Sequence, residues 1–449
     1  MDILKKALEM LEKHPLCDHC LGRQFAFLGR CIENEERGKA IKTVLAMEAQ
    51  ALAYSKKEEG VRILKVIATN GFYKNAEEIL NRMKKRVLRK NLPKTCFLCG
   101  NKFTLVDELA KKALEKLKEY EYQNFLVGVE LPVEVEERED EFKANFDVEY
   151  GESIRIEFGT LLGKKISLYS GKTVEYGKPE IVIIINPVTE EIRVQVNPLY
   201  IAGRYKKLVR GIPQSKWFCS NCRGRGCEKC NWTGKMYPES VEEIVSEPFL
   251  KATEGVKTFF HASGREDIDA RMLGKGRPFV IEISQPKKRF LDLKKLEKDV
   301  NASAVGKVEV SHLHFVDKDF VRRLKKADSA QKEYRVIIEF EKEFTDAEIK
   351  LLEEKLTNSM VKQRTPTRIL HRRADLTREK HIYEVKVRRL SPKRAEMRIR
   401  CQGGLYVKEL VTGDDGRTTP SVSEILKCKA KPVKLDVLNV IMKIRRVGK

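Results

Sequence analysis

Four Cys-x-x-Cys pairs constrain the fold of this 449-residue chain more than any other feature of its sequence. Because we expect no export signal, these pairs indicate metal ligands rather than disulfides. Between the pair Cys17 and Cys20 and the pair Cys96 and Cys99 lie 75 residues, so two distant segments can each give two thiolates to one tetrahedral zinc. The sequence therefore predicts a structural zinc site that ties these segments together. Buried free thiols, or ligands shared with another pair, are the alternatives.

The other two pairs lie close together in the chain. Cys219 and Cys222 are separated from Cys227 and Cys230 by only four residues, Arg-Gly-Arg-Gly, whose glycines allow a tight reversal. We predict one compact site with four cysteine ligands, again for structural zinc. The spacing is shorter than the ~15–20 residues of common zinc ribbons, so an iron–sulfur cluster, or no metal, is the alternative. Neither predicted site has a vacant ligand position, which indicates structural rather than catalytic metal.

Length and charge narrow the class of protein. A single core stops growing near ~250–300 residues, so the length predicts two or more domains. The chain has 89 Lys and Arg against 66 Asp and Glu, a formal net charge of +23, which favours a polyanionic partner. No apolar run approaches the ~18 residues of a membrane helix, and residues 1–14 are amphipathic and contain acids, unlike a signal peptide. We therefore expect a cytoplasmic protein without a membrane partner. Glutamine is scarce beside Lys and Glu, which favours a thermophilic source.

The hydrophobic pattern changes from helical to extended along the first half of the chain. Residues 1–14, most of 33–90 and 105–121 have the apolar spacing of amphipathic helices. Strands are predicted at 124–132, 153–158, 181–187 and 190–196, the last two as a hairpin. Helices that precede strands in this way predict an α+β arrangement rather than an alternating, doubly wound one.

The second half repeats an α+β pattern. A basic link at 197–217 leads to the second cysteine group, and the new pattern begins near residue 236. Helices are predicted at 344–360 and 421–426. Strands are predicted at 277–284, 307–316, 334–341, 382–390 and 396–404. The predicted fold class is therefore α+β with several domains.

A segment rich in charges and glycines, residues 259–283, stands out as a candidate for chemistry. It contains Asp267 and Asp269 interleaved with arginines. Guanidinium neighbours keep a carboxylate ionised, and such a carboxylate can act as nucleophile or general base. Asp269 is expected to form a supporting ion pair with Arg271 or a neighbour. From the charge pattern alone, a polar turn with solvated ion pairs is the better interpretation.

Longer motifs favour the catalytic interpretation. Gly-Arg-Glu-Asp at 264–267 resembles the segment that holds the catalytic aspartate of TruA-type pseudouridine synthases. The string GREDIDARMLGKGRPF, with YIAGRYKKLVRGIPQSKW before it and QRTPTRILHRR after it, resembles the archaeal and eukaryotic tRNA pseudouridine synthase family called Pus-ten. The match covers nearly the whole chain. It implies a zinc-binding accessory half with a THUMP region, then a pseudouridine synthase fold with a mixed antiparallel sheet and flanking helices. The implied domains are 1–104 (helical, zinc-binding), 105–217 (THUMP type), 218–235 (cysteine cluster linker) and 236–449 (catalytic).

The resemblance also implies roles for single residues. Asp267 matches the catalytic aspartate, a nucleophile, and Lys408 matches the basic residue that pairs with it. Tyr334 matches the aromatic residue that stacks on the target uracil, and Val407 and Leu435 match apolar positions around the base. The family isomerises uridine to pseudouridine without an organic cofactor. Its archaeal members act on uridines 54 and 55 in the TΨC arm of tRNA.

Clusters of basic residues predict an RNA surface. Residues 362–400 contain fourteen Lys and Arg against four Asp and Glu, with a basic loop predicted between a helix and a strand. Further clusters lie at 204–210 and 286–289. A solvated face explains any single cation, but three clusters in so basic a chain favour phosphate contacts, with Arg372 and Arg373 as candidates. We expect tRNA as partner and no obligate protein partner.

Two other classes of function are the alternatives. Another THUMP-type tRNA-modifying enzyme is one. A thiouridine synthase should carry a Ser-Gly-Gly-x-Asp-Ser type loop, which the sequence lacks. A methyltransferase should carry a Gly-x-Gly-x-Gly turn after an early strand, whereas GKGRP at 274–278 precedes a strand. A zinc-stabilised RNA-binding protein without chemistry is the other alternative.

Overall fold

The computed structural model describes residues 2–29, 31–55, 57–85, 95–326 and 330–441, apart from the side chain of Arg372. The chain divides into two compact units, residues 1–197 and 198–449. Both units combine helices with a sheet, so the predicted α+β class is confirmed. None of the helices among the described residues has the length and apolar character that crossing a bilayer requires.

Helices make up most of the first unit. They are α1 (Ile3–Lys13), α2 (Asp18–Gly22), α3 (Asn34–Tyr54), α4 (Glu58–Thr69), α5 (Lys74–Arg82), α6 (Val106–Leu117), α7 (Val133–Asn145) and α8 (Ile154–Ser170). The helix predicted at the amino terminus is confirmed: the Asp2 carboxylate accepts a hydrogen bond from the Lys5 N–H and caps α1. Its buried stripe of Ala7, Met10 and Leu11 joins one core that extends through the whole unit.

The first unit also contains a four-stranded sheet. Its strands are β1 (Asn124–Val129), β2 (Thr173–Val174), β3 (Ile181–Ile185) and β4 (Ile192–Val196). They lie in the order β2-β1-β3-β4, with β1 parallel to both neighbours and β3 antiparallel to β4. The predicted hairpin is thus confirmed. Alternate residues of β3 are fully buried, as expected of a strand with one face on the core.

One predicted strand of this unit is wrong. Residues 153–158 were expected to be extended because Ile154, Ile156 and Phe158 alternate with polar residues. They form the start of α8 instead, with the Ser153 hydroxyl as N-cap acceptor for the Ile156 N–H. Ile154 and Phe158 are one helical turn apart and buried, whereas Ile156 is exposed. A spacing of four residues fits both periods, and the capping serine decides for the helix.

A single large sheet organises the second unit. Its strands are β5 (Leu199–Lys207), β6 (Lys257–Ala262), β7 (Arg271–Ser284), β8 (Val308–Val316), β9 (Gln331–Phe340), β10 (Ser359–Arg364), β11 (Thr377–Ser391), β12 (Arg394–Gln402), β13 (Thr418–Thr419) and β14 (Ala430–Ile441). The order is β13-β10-β11-β12-β9-β14-β7-β5-β8, and β6 also pairs with β7. All pairs are antiparallel except β7 with β14, so the mixed antiparallel sheet is confirmed.

Helices flank this sheet. They are α9 (Val241–Thr253), α10 (Leu293–Ser303), α11 (Lys318–Lys326), α12 (Asp346–Leu356), α13 (Val407–Thr412) and α14 (Val422–Ile425). The predicted strands at 277–284, 307–316, 334–341, 382–390 and 396–404 are present within β7, β8, β9, β11 and β12. β14 has no counterpart among the predicted strands.

Two predicted loops are wrong in this unit. The basic link at 197–217 contains β5, an inner strand between β7 and β8. The alternation of buried and exposed residues is not visible in the sequence, because Lys207 is fully buried although lysine is usually exposed. The basic loop after position 362 is shorter than predicted, since β10 continues to Arg364, a 3₁₀ helix spans Thr367–Arg372 and β11 begins at Thr377.

Candidate active site

Asp267 lies in the loop between β6 and β7, and the residue before it anchors that loop. The Glu266 side chain points inward and is buried. Its Oε2 accepts hydrogen bonds from Arg277 Nε at 3.0 Å and from the Tyr205 hydroxyl at 2.9 Å. Arg277 also donates to the Ser263 carbonyl at 2.7 Å, so one buried guanidinium holds both ends of the segment before Asp267.

A buried lysine holds the same loop through its backbone. Lys207, at the end of β5, donates to the carbonyl of Asp267 at 3.1 Å and to that of Ile268 at 3.2 Å. A third bond runs to the Ile212 carbonyl at 2.9 Å. Burial lowers the pKa of Lys207, and nearby acids oppose this effect. These hydrogen bonds hold the loop by its backbone carbonyls, and they leave the Asp267 side chain partly exposed.

Lys408 bridges the two aspartates of the loop. Its ammonium, at the start of α13, lies 3.2 Å from Asp267 Oδ2 and 2.8 Å from Asp269 Oδ2. Partial burial opposes ionisation of Asp269, but the hydrogen bond and charge of Lys408 outweigh it and lower the pKa of Asp269. Arg368 adds a second cation, 3.6 Å from Asp267 Oδ2, and also pairs with Glu409 at 2.6 Å. The Asp267 carboxylate is therefore flanked by two positive charges.

Asp267 and Lys408 lie in the wall of a cavity of about 460 Å³. The cavity is also lined by Tyr334 from β9, Leu435 from β14 and Val407 from α13, so five of the residues implied by the resemblance meet in one place. Tyr334 stands opposite Val437 in the pairing of β9 with β14. Burial raises the pKa of Tyr334, so its phenol stays protonated at neutral pH. The cavity thus combines an aromatic ring, apolar walls and a carboxylate paired with a cation.

Cations form much of the remaining lining of this cavity. Arg373 is among them, and its guanidinium lies 3.3 Å from the hydroxyl of Tyr406. The other candidate, Arg372, has a side chain outside the described part of the structure. Further cationic residues of the lining come from several elements: Arg265, Lys325, Lys332, Arg368, Arg378 and Lys380. Such a lining suits a ligand that carries phosphate groups.

Asp269 does not pair with Arg271, contrary to the first of the two expected pairings. Arg271 instead forms a two-bond contact with Asp436 of β14, at 3.0 and 3.1 Å. Arg335 reaches the same carboxylate at 2.8 Å, and Arg210 contacts it as well. Burial raises the pKa of Asp436, but these guanidinium groups outweigh it and lower the value to about 2. The neighbouring partner of Asp269 is Lys408.

Several residues of the site had no signal of their own in the sequence. Glu266 and Arg277 lie within the segment singled out for its charges, yet the pattern does not say which of them point inward. Arg368 belongs to the basic stretch after position 362, where it is one cation among fourteen. Asp436 lies in a strand that was not predicted. The position of each of these side chains depends on contacts between segments that are distant in the sequence. A local hydrophobic pattern does not predict such contacts.

The first unit brings together the cysteines that were predicted to share a metal. The sulfur atoms of Cys17, Cys20, Cys96 and Cys99 all lie within 4.8 Å of one another, and those of Cys17 and Cys99 are 3.6 Å apart. Four thiolates arranged tetrahedrally at ~2.3 Å from zinc are roughly 3.8 Å apart, so the spacing fits such an ion. The Cys20 N–H donates to Cys17 Sγ at 3.4 Å, which stabilises a thiolate.

The second unit contains the other predicted cluster. Cys219, Cys222, Cys227 and Cys230 also have sulfurs within 4.8 Å of one another, with three of the separations at 3.7–3.8 Å. The Asn221 amide donates to Cys227 Sγ, and this bond is the main reason why the pKa of Cys227 is lowered to about 6. The Gly226 N–H donates to Cys222 and the Gly234 N–H to Cys230. Both clusters are therefore positioned to hold a metal ion.

Comparison with known proteins gives matches over nearly the whole chain. The family described as "Pus10, C-terminal" matches residues 200–441, and "Pus10 THUMP domain, archaeal" matches residues 109–186. The "tRNA pseudouridine synthase Pus10" of Methanocaldococcus jannaschii is 47% identical over 96% of this chain and 93% of the relative. The protein of the same name from Methanothrix thermoacetophila is 40% identical over 98% of this chain and 94% of the relative.

Solved structures are more distant. A chain of the "Crystal Structure of a Cbf5-Nop10-Gar1 Complex" is 13% identical, covers 54% of this chain and 50% of its own length, and has a TM-score of 0.30. The family matches and the full-length relatives confirm the resemblance seen in the sequence motifs. This chain belongs to the Pus10 family of tRNA pseudouridine synthases.

Proposed function

We propose that this chain isomerises uridine to pseudouridine in tRNA, at uridines 54 and 55 of the TΨC arm. The observation that carries the proposal is the Asp267 carboxylate, 3.2 Å from the Lys408 ammonium, in the wall of a cavity that also contains Tyr334. The names of the full-length relatives support tRNA as the substrate. The two positions rest on the family resemblance.

In this proposal the cavity receives a base that has left the helical stack, because Asp267 cannot reach a uridine inside a duplex. Tyr334 offers its ring to the flipped uracil, while Val407 and Leu435 contact the apolar parts of the base. The positive charge of Lys408 stabilises the carboxylate as the base excludes water from it. These roles assign one residue type to each requirement of the reaction.

The reaction conserves all atoms of the uridine. The bond between ribose carbon 1′ and uracil N1 breaks, the base turns, and carbon 1′ forms a bond to uracil carbon 5. Carbon 5 loses its hydrogen as a proton, and N1 gains a proton. Asp267 acts as the nucleophile: one of its carboxylate oxygens forms a covalent bond to the uridine, and this bond breaks when carbon 1′ bonds to carbon 5, which regenerates the free carboxylate. Because the product is an isomer of the substrate, the balance needs neither a redox partner nor an organic cofactor.

Release of tritium tests the proposed reaction. Unmodified tRNA labelled with tritium at uridine carbon 5 should release label to water when it is incubated with the protein. A transcript with cytidine at position 54 or at position 55 should lose about half of that release, and the double replacement should lose all of it. Binding of tRNA without release of tritium would refute the proposal and would indicate an RNA-binding protein without this activity.

We further propose that both cysteine clusters hold structural zinc. Elemental analysis of the purified protein should give two zinc ions per chain, or one if only Cys17, Cys20, Cys96 and Cys99 are loaded. Cys17→Ser should lower the thermal stability more than it lowers the single-turnover rate, because the metal stabilises the fold. Cys31→Ser is the matched control, since this exposed cysteine belongs to neither cluster. Iron with visible absorbance, or no metal, would contradict this assignment.

The cations that line the cavity are proposed to contact tRNA phosphates. Affinity should fall as salt rises, with a slope in log–log form of about 0.7–0.9 per neutralised phosphate. Arg373→Glu should weaken binding and reduce that slope by roughly one, while catalysis at saturating tRNA persists. Lys251→Glu is the control, since this exposed lysine of α9 does not line the cavity. Equal affinities for the two variants would show that Arg373 is not part of the RNA surface.

A further inference from the structure

A second cavity lies on the other side of the Asp267 loop. Its volume is about 330 Å³, within the usual size range of small-molecule sites. Five residues line both cavities, and these form the wall between them: Arg265, Glu266, Asp267, Arg368 and Lys408. The remaining lining of the second cavity includes Trp217, Arg210 and Gln214. The reaction described above uses only the first cavity, so the second one has no assigned ligand.

An indole ring and a guanidinium form the most distinctive feature of this cavity. Arg265 Cζ lies 5.7 Å from the centre of the Trp217 ring, a cation–π contact. Within the described part of the chain, no carboxylate lies in ion-pair distance of Arg265, whereas the other cations that line this cavity are paired: Arg210, Arg368 and Lys408. Trp217 is half-buried, and the Tyr237 ring meets it edge-on at 5.7 Å. A fixed indole beside an unneutralised guanidinium suits a ligand with both a flat ring and a negative charge.

The cysteine cluster fixes the backbone at Trp217. The Met236 N–H donates to the Trp217 carbonyl at 2.9 Å, and Phe218 pairs with Lys235 in a short β-bridge. These contacts close the segment that contains the second cluster. The cluster therefore holds the backbone of the aromatic platform, while the Arg265 guanidinium covers the Trp217 ring.

We propose that this second cavity binds the nucleotide next to the target uridine in the RNA strand. The inference rests on the proposed function. A strand whose target base enters the first cavity must continue past the shared wall, where Arg265 and Arg368 can receive its phosphate. The neighbouring base then stacks on Trp217 in place of the Arg265 guanidinium. Because any base has a flat π face, this contact adds affinity with little sequence preference.

Tryptophan emission can test the proposal, because the chain has only two tryptophans. The other one, Trp232, is 73% exposed and lines neither cavity. In a Trp232→Phe protein, the emission of Trp217 should be quenched when an RNA hairpin with the sequence of the TΨC arm binds. The abasic comparison uses a hairpin with cytidine at position 54, so that uridine 55 is its single target. An abasic site at position 54 or at position 56 should make this hairpin bind roughly tenfold more weakly and quench little. Because this comparison changes the RNA and leaves Trp217 unaltered, it does not depend on the folding of a Trp217 variant.

A paired comparison separates stacking from a general loss of affinity. Trp217→Ala should weaken binding of the intact hairpin roughly tenfold. It should not further weaken binding of the abasic hairpin that the parent protein already binds poorly. Trp217→Phe should keep most of the affinity, and Trp232→Ala should keep all of it. The proposal would be overturned if neither abasic site changed the quenching. It would also be overturned if the losses of affinity from Trp217→Ala and from the abasic site were additive. Quenching without tritium release would refute the proposed reaction but not the second nucleotide site.

Discussion

Asp267→Asn should form no measurable pseudouridine at saturating enzyme, while it binds tRNA about as tightly as the parent protein. The amide is nearly the same size as the carboxylate, and it keeps an oxygen that faces Lys408, 3.2 Å away in the parent. It cannot act as a nucleophile at neutral pH. We expect the single-turnover rate to fall by at least roughly 10³-fold, the scale on which enzymes lose rate with a catalytic nucleophile. Single-turnover yield of pseudouridine and a separate binding titration measure the two effects.

Asp269→Asn is the matched control for this substitution. Both carboxylates contact the same Lys408 ammonium, so this ion pair does not distinguish them. Their exposure does: the Asp269 side chain is 69% exposed, whereas that of Asp267 is 36% exposed and lines the first cavity. We therefore expect Asp269→Asn to keep measurable activity. Loss of activity only in Asp269→Asn would show that Asp269, and not Asp267, is the nucleophile. Full activity of Asp267→Asn would refute the mechanism.

Lys408 is the link between the two aspartates, and its removal should have an intermediate effect. Lys408→Met takes away the cation that faces both carboxylates, but Arg368 still lies 3.6 Å from Asp267. Turnover should therefore fall while some activity remains, with a smaller effect on tRNA binding. The same single-turnover assay decides this outcome.

The sequence was most informative where spacing alone fixes geometry. Two residues between paired cysteines allow both sulfurs to reach one ion, and all eight predicted ligands meet in two clusters. Periodicity was less reliable at residues 153–158, where the same apolar positions suit a strand and a helix. It failed at β5, because a fully buried lysine looks like a solvated one in the sequence.

The candidate active site shows a different limit of prediction from sequence. Asp267 and Lys408 are 141 positions apart, and no local pattern connects them. Only the resemblance of their surrounding motifs to a known family placed them together. The supports beneath Asp267 follow from strand pairing in the large sheet, in which β5 and β7 carry Tyr205 and Arg277 towards Glu266. Such contacts become visible only when the order of the strands is known.

Those supports lead to the second large effect: Arg277→Met should lower the free energy of unfolding by about 3–5 kcal/mol. The side chains of Arg277 and Glu266 are almost completely buried and lie 3.0 Å apart. Removing the guanidinium takes a charged donor from the buried Glu266 carboxylate, which keeps its hydrogen bond from the Tyr205 hydroxyl. It also removes the donor to the Ser263 carbonyl. Urea unfolding followed by tryptophan emission reports on this unit, since Trp217 and Trp232 both lie in residues 198–449.

Two further variants test whether burial of the ion pair causes the loss of stability in Arg277→Met. Arg394→Met breaks an ion pair of similar length with Glu339, but both side chains are about half exposed, so the loss should stay below ~1 kcal/mol. Adding Glu266→Gln to Arg277→Met removes the buried negative charge and should recover part of the stability. If Arg277→Met costs no more than Arg394→Met, the buried pair does not anchor the Asp267 loop. In that case the Lys207 bonds to the loop carbonyls must hold Asp267 in place.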